Sequence, residues 1–157
     1  FNEIPRFPPE CFAYLHNPSP ANSKKFRLGL EQLLQEGVVQ MLFVGTGQVK
    51  SSLLAAVGPL QFEVFQYRLK EEYSAESRLE SARWNLVRWW RKPGAEPEWL
   101  PDLPGDTAHG VDQLGNPIVL FADDWALRHF VQRNQAVEIS PLPFGQTPEV
   151  PAAGNAG

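Results

Sequence analysis

The sequence predicts an α+β fold: a ferredoxin-like split βαβ sandwich, with two helices on an antiparallel sheet, followed by a small C-terminal α/β extension. The first observation is the order of the periodic segments between residues 10 and 80, which is strand, helix, strand, strand, helix, strand. The second is the apolar and aromatic content, 43% of 157 residues, which is enough to bury a core without disulfides or metal ions. We expect a core over residues 1–92, an extension packed on it over 93–139, and a disordered tail over 140–157.

The first strand and the first helix have clear local signals. Residues 12–16 alternate between ring-bearing side chains (Phe12, Tyr14, His16) and the aliphatic Ala13 and Leu15, which is typical of a strand. Two prolines within residues 17–20 end this strand. A helix is predicted from Ser23, as its N-cap, to Glu36, with Gly37 as the stop. Its apolar residues fall on one stripe: Phe26, Leu30, Leu33 and Leu34.

Two strands and a second helix come next. Residues 38–44 are rich in β-branched and apolar side chains, and the glycines that follow predict a hairpin. Residues 52–57 are apolar at almost every position, which indicates a strand in the middle of the sheet, covered on both faces. Pro59 suits the first turn of a helix, which we expect to end near Tyr73.

The second helix has apolar residues on two opposite sides. At 100° per residue, one side holds Leu60, Val64 and Tyr67, and the other holds Phe62, Phe65, Leu69 and Tyr73. One side must pack on the sheet, and the other needs a cover, either from the rest of the chain or from a partner. We expect the C-terminal extension to be this cover.

The remaining elements are shorter. Residues 75–80 and 83–90 predict two further strands, and a connection rich in proline, glycine and acidic residues follows over 93–110. A turn at 115–117 precedes a strand at 118–121, Asp123 is expected to cap a helix reaching Gln132, and a last short strand is expected at 137–139.

Charge and cysteine content exclude several classes of protein. Residues 1–92 hold 12 Lys and Arg against 9 Asp and Glu, whereas residues 93–157 hold 2 against 9, so the chain is no general polycation. A single cysteine, Cys11, excludes an internal disulfide framework and a cysteine-based zinc site. No apolar run is long enough for a membrane span, and the start has no signal-peptide pattern. Because residue 1 is not Met, we expect the chain to be part of a longer protein.

No motif predicts a catalytic, cofactor or metal site in this chain. There is no phosphate-binding loop, and the pair Gly45-x-Gly47 is explained better by a hairpin turn. Three other groups are interpreted as structural: the serines at 51 and 52 lack a nearby His, the histidines are far apart, and the acidic pair suits a helix start. These residues are Ser51, Ser52, His16, His109, His129, Asp123 and Asp124.

One stretch combines cations with tryptophans and leaves two interpretations open. Between residues 78 and 92, basic residues alternate with Trp84, Trp89 and Trp90. Cations that meet phosphates, beside aromatic rings that stack on bases, would suit a nucleic-acid contact. The alternative is a strand whose tryptophans are core and whose arginines are solvated. The burial of Trp84 and Trp89 decides between these interpretations.

Several segments resemble the C-terminal domain of the bacterial peptide chain release factor 3 family. The resemblance is carried by residues 29–40, 56–64 and 67–73, with support from 8–12 and 82–84. It is nearly continuous to residue 90, looser over 93–139 and absent from the tail. The segment 58–63 is also similar to one in the third domain of elongation-factor-like translational GTPases, where it marks the split βαβ scaffold.

The resemblance implies a function for the intact protein. It would be a cytoplasmic GTPase that binds the ribosome during termination and removes class I release factors, with GTP or GDP and Mg²⁺ held by a G domain outside this chain. This domain would bind no cofactor itself and would contact the small ribosomal subunit, including protein S12 and rRNA, and its own G domain. No membrane partner is implied.

Ribosome contacts are predicted from positive charge. The candidates are Arg78, Arg83, Arg88, Arg91 and Lys92, with Lys24, Lys25 and Arg27 as a second group. The alternative function is a freestanding ferredoxin-like module that senses a small molecule or binds a protein. A standalone enzyme is not favoured, because no acid, base or nucleophile constellation is present.

Overall fold

The computed structural model of this chain describes residues 8–45 and 50–145. The strands are β1 (Cys11–His16), β2 (Gln40–Val44), β3 (Ser51–Ala56), β4 (Arg78–Ser81), β5 (Leu86–Arg91), β6 (Thr107–Asp112), β7 (Pro117–Phe121) and β8 (Glu138–Ser140). The α-helices are α1 (Ser23–Gln35), α2 (Pro59–Tyr73) and α3 (Asp124–Arg133). The predicted α+β, ferredoxin-like fold is confirmed. None of these described helices is long and apolar enough to cross a membrane.

All eight strands form one antiparallel sheet in the order β4-β1-β3-β2-β6-β7-β5-β8. The first four strands have the order expected of a split βαβ unit, with α1 and α2 as the two crossovers. The second four continue the same sheet, because β6 pairs with the outer side of β2 from Leu42↔Asp112 to Val44↔Gly110. The predicted boundary near residue 92 stays a prediction, and the strand pairing crosses it, since β5 pairs with β7 and β8.

Three apolar clusters show how these elements are layered. The first lies between α1, α2 and the first half of the sheet, and includes Phe65 and Leu54. The second joins the other face of that half to β5 and β7 and includes Leu53 and Trp89. The third packs α3 on the outer face of the second half, around Phe130. The two halves of the sheet therefore face each other, with helices outside both.

The middle strand follows the prediction closely. Leu53 and Leu54 are neighbours in β3, yet they belong to different clusters, because successive side chains of a strand point to opposite faces. Both are fully buried, as are most residues of β3. Coverage on both faces, which the apolar run predicted, is confirmed.

The helix starts were predicted with one error. Ser23 is the first residue of α1 and not its cap; the N-cap is Asn22, whose side-chain amide donates to the Ser74 carbonyl at 2.8 Å. Pro59 opens α2 as expected. The Asp123 carboxylate accepts a hydrogen bond from the Ala126 backbone N–H at 2.9 Å, so the predicted cap of α3 is confirmed.

The predicted cover of α2 is wrong. Phe65 and Leu69 are fully buried, but on the opposite side of the helix Leu60 is 62% exposed and Tyr67 is 67% exposed. The residues expected to cover them pack elsewhere, because β7 lies against the far side of the first half-sheet and α3 packs outside β7. The period of the sequence shows that α2 has two apolar sides, but not which neighbour reaches them.

The end of the described chain is packed. Ser140 belongs to β8 and Leu142 is fully buried. The rest of the predicted tail, residues 146–157, lies outside the described residues, as do residues 1–7 and residues 46–49, where the turn of the hairpin is predicted. The hairpin itself is confirmed by the pairing of β2 with β3, up to Val44↔Ser51.

Candidate functional site

The three tryptophans of the basic stretch are part of the core. Trp84 is 7%, Trp89 1% and Trp90 8% exposed. The indole N–H of Trp84 donates to the Tyr14 hydroxyl and that of Trp89 to the Asp112 carboxylate, each at 2.9 Å. These rings cannot stack on bases without unfolding β5 and its surroundings, so the interpretation as a strand with core tryptophans is confirmed.

Cations of the same stretch already have partners. Arg83 forms an ion pair with Asp106 and lies over the ring of Trp84. The Nε of Arg91 lies 2.7 Å from Glu138 Oε1, and its guanidinium lies 4.3 Å from the centre of the Phe144 ring. These arginines are more than half exposed, so their charge is reduced locally by a neighbour and not removed.

Two further cations of the stretch, Arg88 and Lys92, also have close neighbours. Arg88 is half-buried and donates to the Val87 carbonyl at 2.8 Å. Burial lowers the pKa of the Arg88 guanidinium, and the negative charge of Asp124 acts in the opposite direction. The Lys92 ammonium lies 5.2 Å from the centre of the Trp99 ring. We refer to Arg83, Arg88, Arg91 and Lys92 as the engaged cations.

The remaining four candidate cations are exposed and lack an ion-pair partner among the described residues. Lys24, Lys25 and Arg27 lie in the first turns of α1, and Arg78 is the first residue of β4. All four are exposed, and none forms an ion pair within residues 8–45 and 50–145. We refer to Lys24, Lys25, Arg27 and Arg78 as the free cations.

The fold brings the free cations to one end of the molecule. Arg78 lies opposite His16, the last residue of β1. A six-residue connection, which includes a turn of 3-10 helix at Pro20–Asn22, joins His16 to the start of α1. The hydrogen bond from Asn22 to Ser74 fastens the start of α1 to the segment that leads into β4. The first turn of α1 has no acidic residue, so the partial positive charge of the helix N-terminus adds to that of the lysines. This end of the molecule is therefore suited to an anionic partner.

Close packing holds α1 in position on α2. A Cβ atom added to Gly29 would lie 2.5 Å from Leu69 Cδ1 and 2.7 Å from Tyr73 Cγ, so only a glycine allows this approach. At the far end of α1, Arg68 of α2 bonds both Glu36 and Glu72, with 2.8 Å from its Nε to Glu72. These hydrogen bonds raise the pKa of Arg68 and lower the pKa of Glu36 and Glu72.

Comparison with known proteins decides the family. Residues 1–131 match the family model described as "Class II release factor RF3, C-terminal domain". The chain belongs to the release factor 3 family. It is similar to proteins named peptide chain release factor 3 from Gloeobacter violaceus, with 41% identity over 145 residues, and from a Synechococcus species, with 37% over 155. These matches cover 90% and 94% of this chain.

The chain spans about a quarter of the length of these relatives, 27% in both cases. The release factor 3 family is a GTPase family of translation termination, and the part matched here is its C-terminal domain. The match continues to residue 131 and therefore includes most of α3, beyond the region where the sequence motifs were densest. The resemblance inferred from residues 29–40 and 56–64 is confirmed.

In this release factor 3 domain, segment 58–63 has a structural role. Gly58 precedes the first turn of α2, and its backbone N–H donates to the Gln61 side chain at 3.1 Å. The segment starts the helix that packs on α1, and its Phe62 side chain packs against the first apolar cluster. This structural role is the one that the sequence predicts for the segment.

The serines, histidines and acidic pair that were considered in the sequence form no catalytic or metal site in the described part of the chain. His16 bonds Glu80 at 2.8 Å and lies with Ser51 and Ser52 around a shallow cavity of about 370 Å³, but no hydrogen bond joins either serine to His16. Burial lowers the pKa of His109. No three potential ligands among the described residues are grouped to hold a metal ion.

The sequence did not reveal which cations are free and which are engaged. The partners of Arg83 and Arg91 are Asp106 and Glu138, which are 23 and 47 residues away along the chain. Only the Arg91–Glu138 pair could be predicted from strand pairing, because β5 and β8 place the two residues opposite each other. The pairing of β5 with β8 follows from the order of the strands in the sheet, which the local sequence pattern does not predict.

Proposed function

We propose that this chain is the ribosome-docking domain of a release factor 3 GTPase that recycles class I release factors during translation termination. Its place in the release factor 3 family supports this function. The single observation that carries the docking role is the group of four free cations at one end of the fold, within a chain whose net charge is −4.

The longer protein would supply the remaining chemistry. A G domain outside this chain would bind GTP or GDP with Mg²⁺, and the present domain would need no cofactor of its own. The partners of the domain would be that G domain and the small ribosomal subunit, including rRNA and protein S12, with class I release factors affected indirectly. The protein would act in the cytoplasm.

The free cations would bind rRNA phosphates. A lysine or arginine that neutralises a phosphate releases condensed counterions, so affinity falls steeply as salt is added. Because these side chains have no carboxylate partner among the described residues, no ion pair has to be broken when a phosphate binds. The engaged cations would contribute less, because each phosphate contact competes with an existing neighbour.

The experiment compares two double charge reversals that change the net charge equally. Lys25→Glu with Arg27→Glu alters two free cations, whereas Lys70→Glu with Arg128→Glu alters exposed cations that are not candidates. Binding of each chain to purified small ribosomal subunits is measured by sedimentation over a series of salt concentrations. The first pair is expected to weaken binding about tenfold or more and to lower the salt slope by about 2, while the second changes affinity by about twofold at most.

Two results would contradict the proposal. The unaltered chain could show no saturable binding to the subunits at low salt. Alternatively, both pairs could weaken binding equally, in which case overall charge and not this end of the molecule determines the affinity.

A further inference from the structure

A groove beside β5 is a feature that the proposed RNA contact does not use. It has a volume of about 370 Å³, and aromatic and proline side chains form much of its wall. They are Trp89, Trp90, Trp99, Phe144, Pro97 and Pro117. None of the four free cations lines it. We refer to this cavity as the aromatic groove.

One polar group in the wall of the groove lacks a partner. Trp90 is 8% exposed, and its indole N–H is buried without an acceptor among the described residues. By contrast, the indole N–H groups of Trp84 and Trp89 both donate to a side-chain oxygen. Because a buried donor without an acceptor is unfavourable, a ligand that supplies a carbonyl oxygen to Trp90 would gain binding energy there.

The aromatic rings favour a peptide over a nucleobase. The rings of Trp90 and Trp99 meet edge to face, with 5.8 Å between their centres, and form two apolar surfaces at an angle. The Lys92 ammonium and the Arg91 guanidinium already lie over the rings of Trp99 and Phe144, where a base would stack. Aromatic-lined grooves commonly bind proline-rich segments in the polyproline II conformation, whose backbone carbonyls are free to accept hydrogen bonds.

The chain itself has a suitable segment directly after one wall of the groove. Phe144 lines the groove, and the sequence continues to Pro148-Glu-Val-Pro151, which lies outside the described residues. Two prolines three residues apart fall on the same side of a polyproline II helix. Gly145 has a φ of 89°, so the backbone turns directly after Phe144. The four residue steps from Phe144 to Pro148 span about 13 Å when extended, which is enough to return over the groove.

Charge at the rim of the groove also suits this segment. Arg91 is paired with Glu138, whereas Lys92 has no carboxylate partner among the described residues. Glu149 lies between the two prolines in the sequence and would supply that carboxylate. Glu96 is exposed and lines the groove as well, so the rim attracts an acidic group only near Lys92.

We propose that the aromatic groove binds residues 148–151 of the same chain in the polyproline II conformation. The two prolines pack on the rings of Trp90 and Trp99, and the Trp90 indole N–H donates to a backbone carbonyl of the segment. The inference goes beyond the proposed function and does not depend on it. Its consequence is that the tail covers Arg91 and Lys92 and makes these engaged cations still less available to an anionic partner.

The test follows the indole N–H signals of the full chain by nitrogen-15 NMR, in which the five tryptophans give five signals. The tail variant is Pro148→Ala with Pro151→Ala, and the matched control is Ala152→Ser with Ala153→Ser. The tail variant is expected to shift the Trp90 signal upfield by several line widths, because its N–H loses the acceptor, and to shift the Trp99 signal as well. The control is expected to leave all five signals in place.

Two further measurements keep the test specific. The signals of Trp84 and Trp89, which donate inside the core, should be unchanged in the tail variant and so report that its fold is intact. A synthetic peptide of residues 146–157, added to the tail variant, should return the Trp90 signal towards its position in the unaltered chain. Millimolar peptide is needed, because a tethered tail has an effective concentration of that order. The same peptide with both prolines replaced by alanine should have no effect.

Each outcome supports or overturns the inference without affecting the proposed docking role. Shifts of Trp90 and Trp99 that occur in the tail variant alone, at any protein concentration, and that the peptide reverses would support it. Identical signals in the unaltered chain and the tail variant would overturn it, as would equal shifts in the tail variant and the control. Shifts that appear only at high protein concentration would overturn it in favour of the tail of a second copy.

Discussion

The two basic regions of this domain have similar charge but differ in what their cations contact. The cations of α1 and Arg78 are exposed and have no ion-pair partner among the described residues, whereas those after Arg78 are held by carboxylates, a carbonyl or aromatic rings. The stretch from 78 to 92 holds five cations, but four of them already contact a neighbouring group in the fold. The number of cations in a segment therefore does not measure how many of them can bind a partner.

The positions of the two regions in the fold explain this difference. β5 is an inner strand between β7 and β8, so its side chains point alternately into two cores, and its cations lie beside neighbouring strands and α3. The outer side of α1 faces solvent along its length, because only its inner stripe, including Phe26 and Leu33, is buried. A helix on the outside of a sheet can present free charge in a way that an inner strand cannot.

The largest expected effect concerns the tryptophans of β5. Trp89→Ala removes a fully buried ring and its hydrogen bond to Asp112, and should lower the free energy of unfolding by about 3–5 kcal/mol. Trp125→Ala, at a ring that is 59% exposed, should change it by about 0.5 kcal/mol or less. Urea unfolding followed by circular dichroism measures both. A Trp89→Ala chain of unchanged stability that no longer bound RNA would restore the base-stacking interpretation.

A smaller effect is expected where α1 meets α2. Gly29→Ala places a Cβ against Leu69 and Tyr73, which should cost about 1–2 kcal/mol in the free energy of unfolding, even after the better helix propensity of alanine is included. The matched control is Gly105→Ala, where nothing lies within 4 Å of the added atom, and its stability should be unchanged or slightly higher. Equal stability of the two variants in urea unfolding would show that the approach of α1 to α2 is less close than described.

The smallest change in stability is expected from releasing the engaged arginines. Asp106→Asn with Glu138→Gln removes the carboxylates that hold Arg83 and Arg91, and each exposed ion pair contributes about 1 kcal/mol or less to stability. Affinity for small-subunit rRNA should rise by a few-fold, with a steeper salt dependence, because two more cations become available. The matched control is Glu96→Gln with Glu98→Gln, which makes the same charge change at exposed residues. Equal gains in both double variants would show that net charge alone determines affinity.

Much of the first half-sheet could be predicted because its signals are local. The apolar run of β3, the stripe of α1 and the proline at the start of α2 each fix an element within a few residues, and the order of elements then implies the topology. The predicted N-cap of α1, Ser23, lies one residue after the observed N-cap, Asn22. Both residue types are suitable caps, and only the hydrogen bond from Asn22 to Ser74 distinguishes them.

The second half-sheet depends on a strand that the sequence does not reveal. β6 contains His109 and Gly110 and follows a stretch rich in proline and acidic residues, so its local pattern predicts a connection. Its strand conformation comes from hydrogen bonding to β2 and β7 on its two sides. Gly110 is required there, because a Cβ would lie 2.4 Å from the Phe43 carbonyl oxygen. Such tertiary pairing explains why the extension covers the sheet and leaves the outer side of α2, including Leu60 and Tyr67, exposed.

The most direct test of the central claim compares the two groups of cations at equal charge. Lys24→Gln with Lys25→Gln and Arg83→Gln with Arg91→Gln each remove two positive charges, and the salt dependence of binding to small ribosomal subunits is measured for both. Removal of the lysine pair is expected to lower the slope of log affinity against log salt by about 2, and removal of the arginine pair is expected to change it by about 0.5 or less. A larger loss of slope in the arginine pair would contradict the proposed role of the free cations and would place the phosphate contact on the β5 side of the domain.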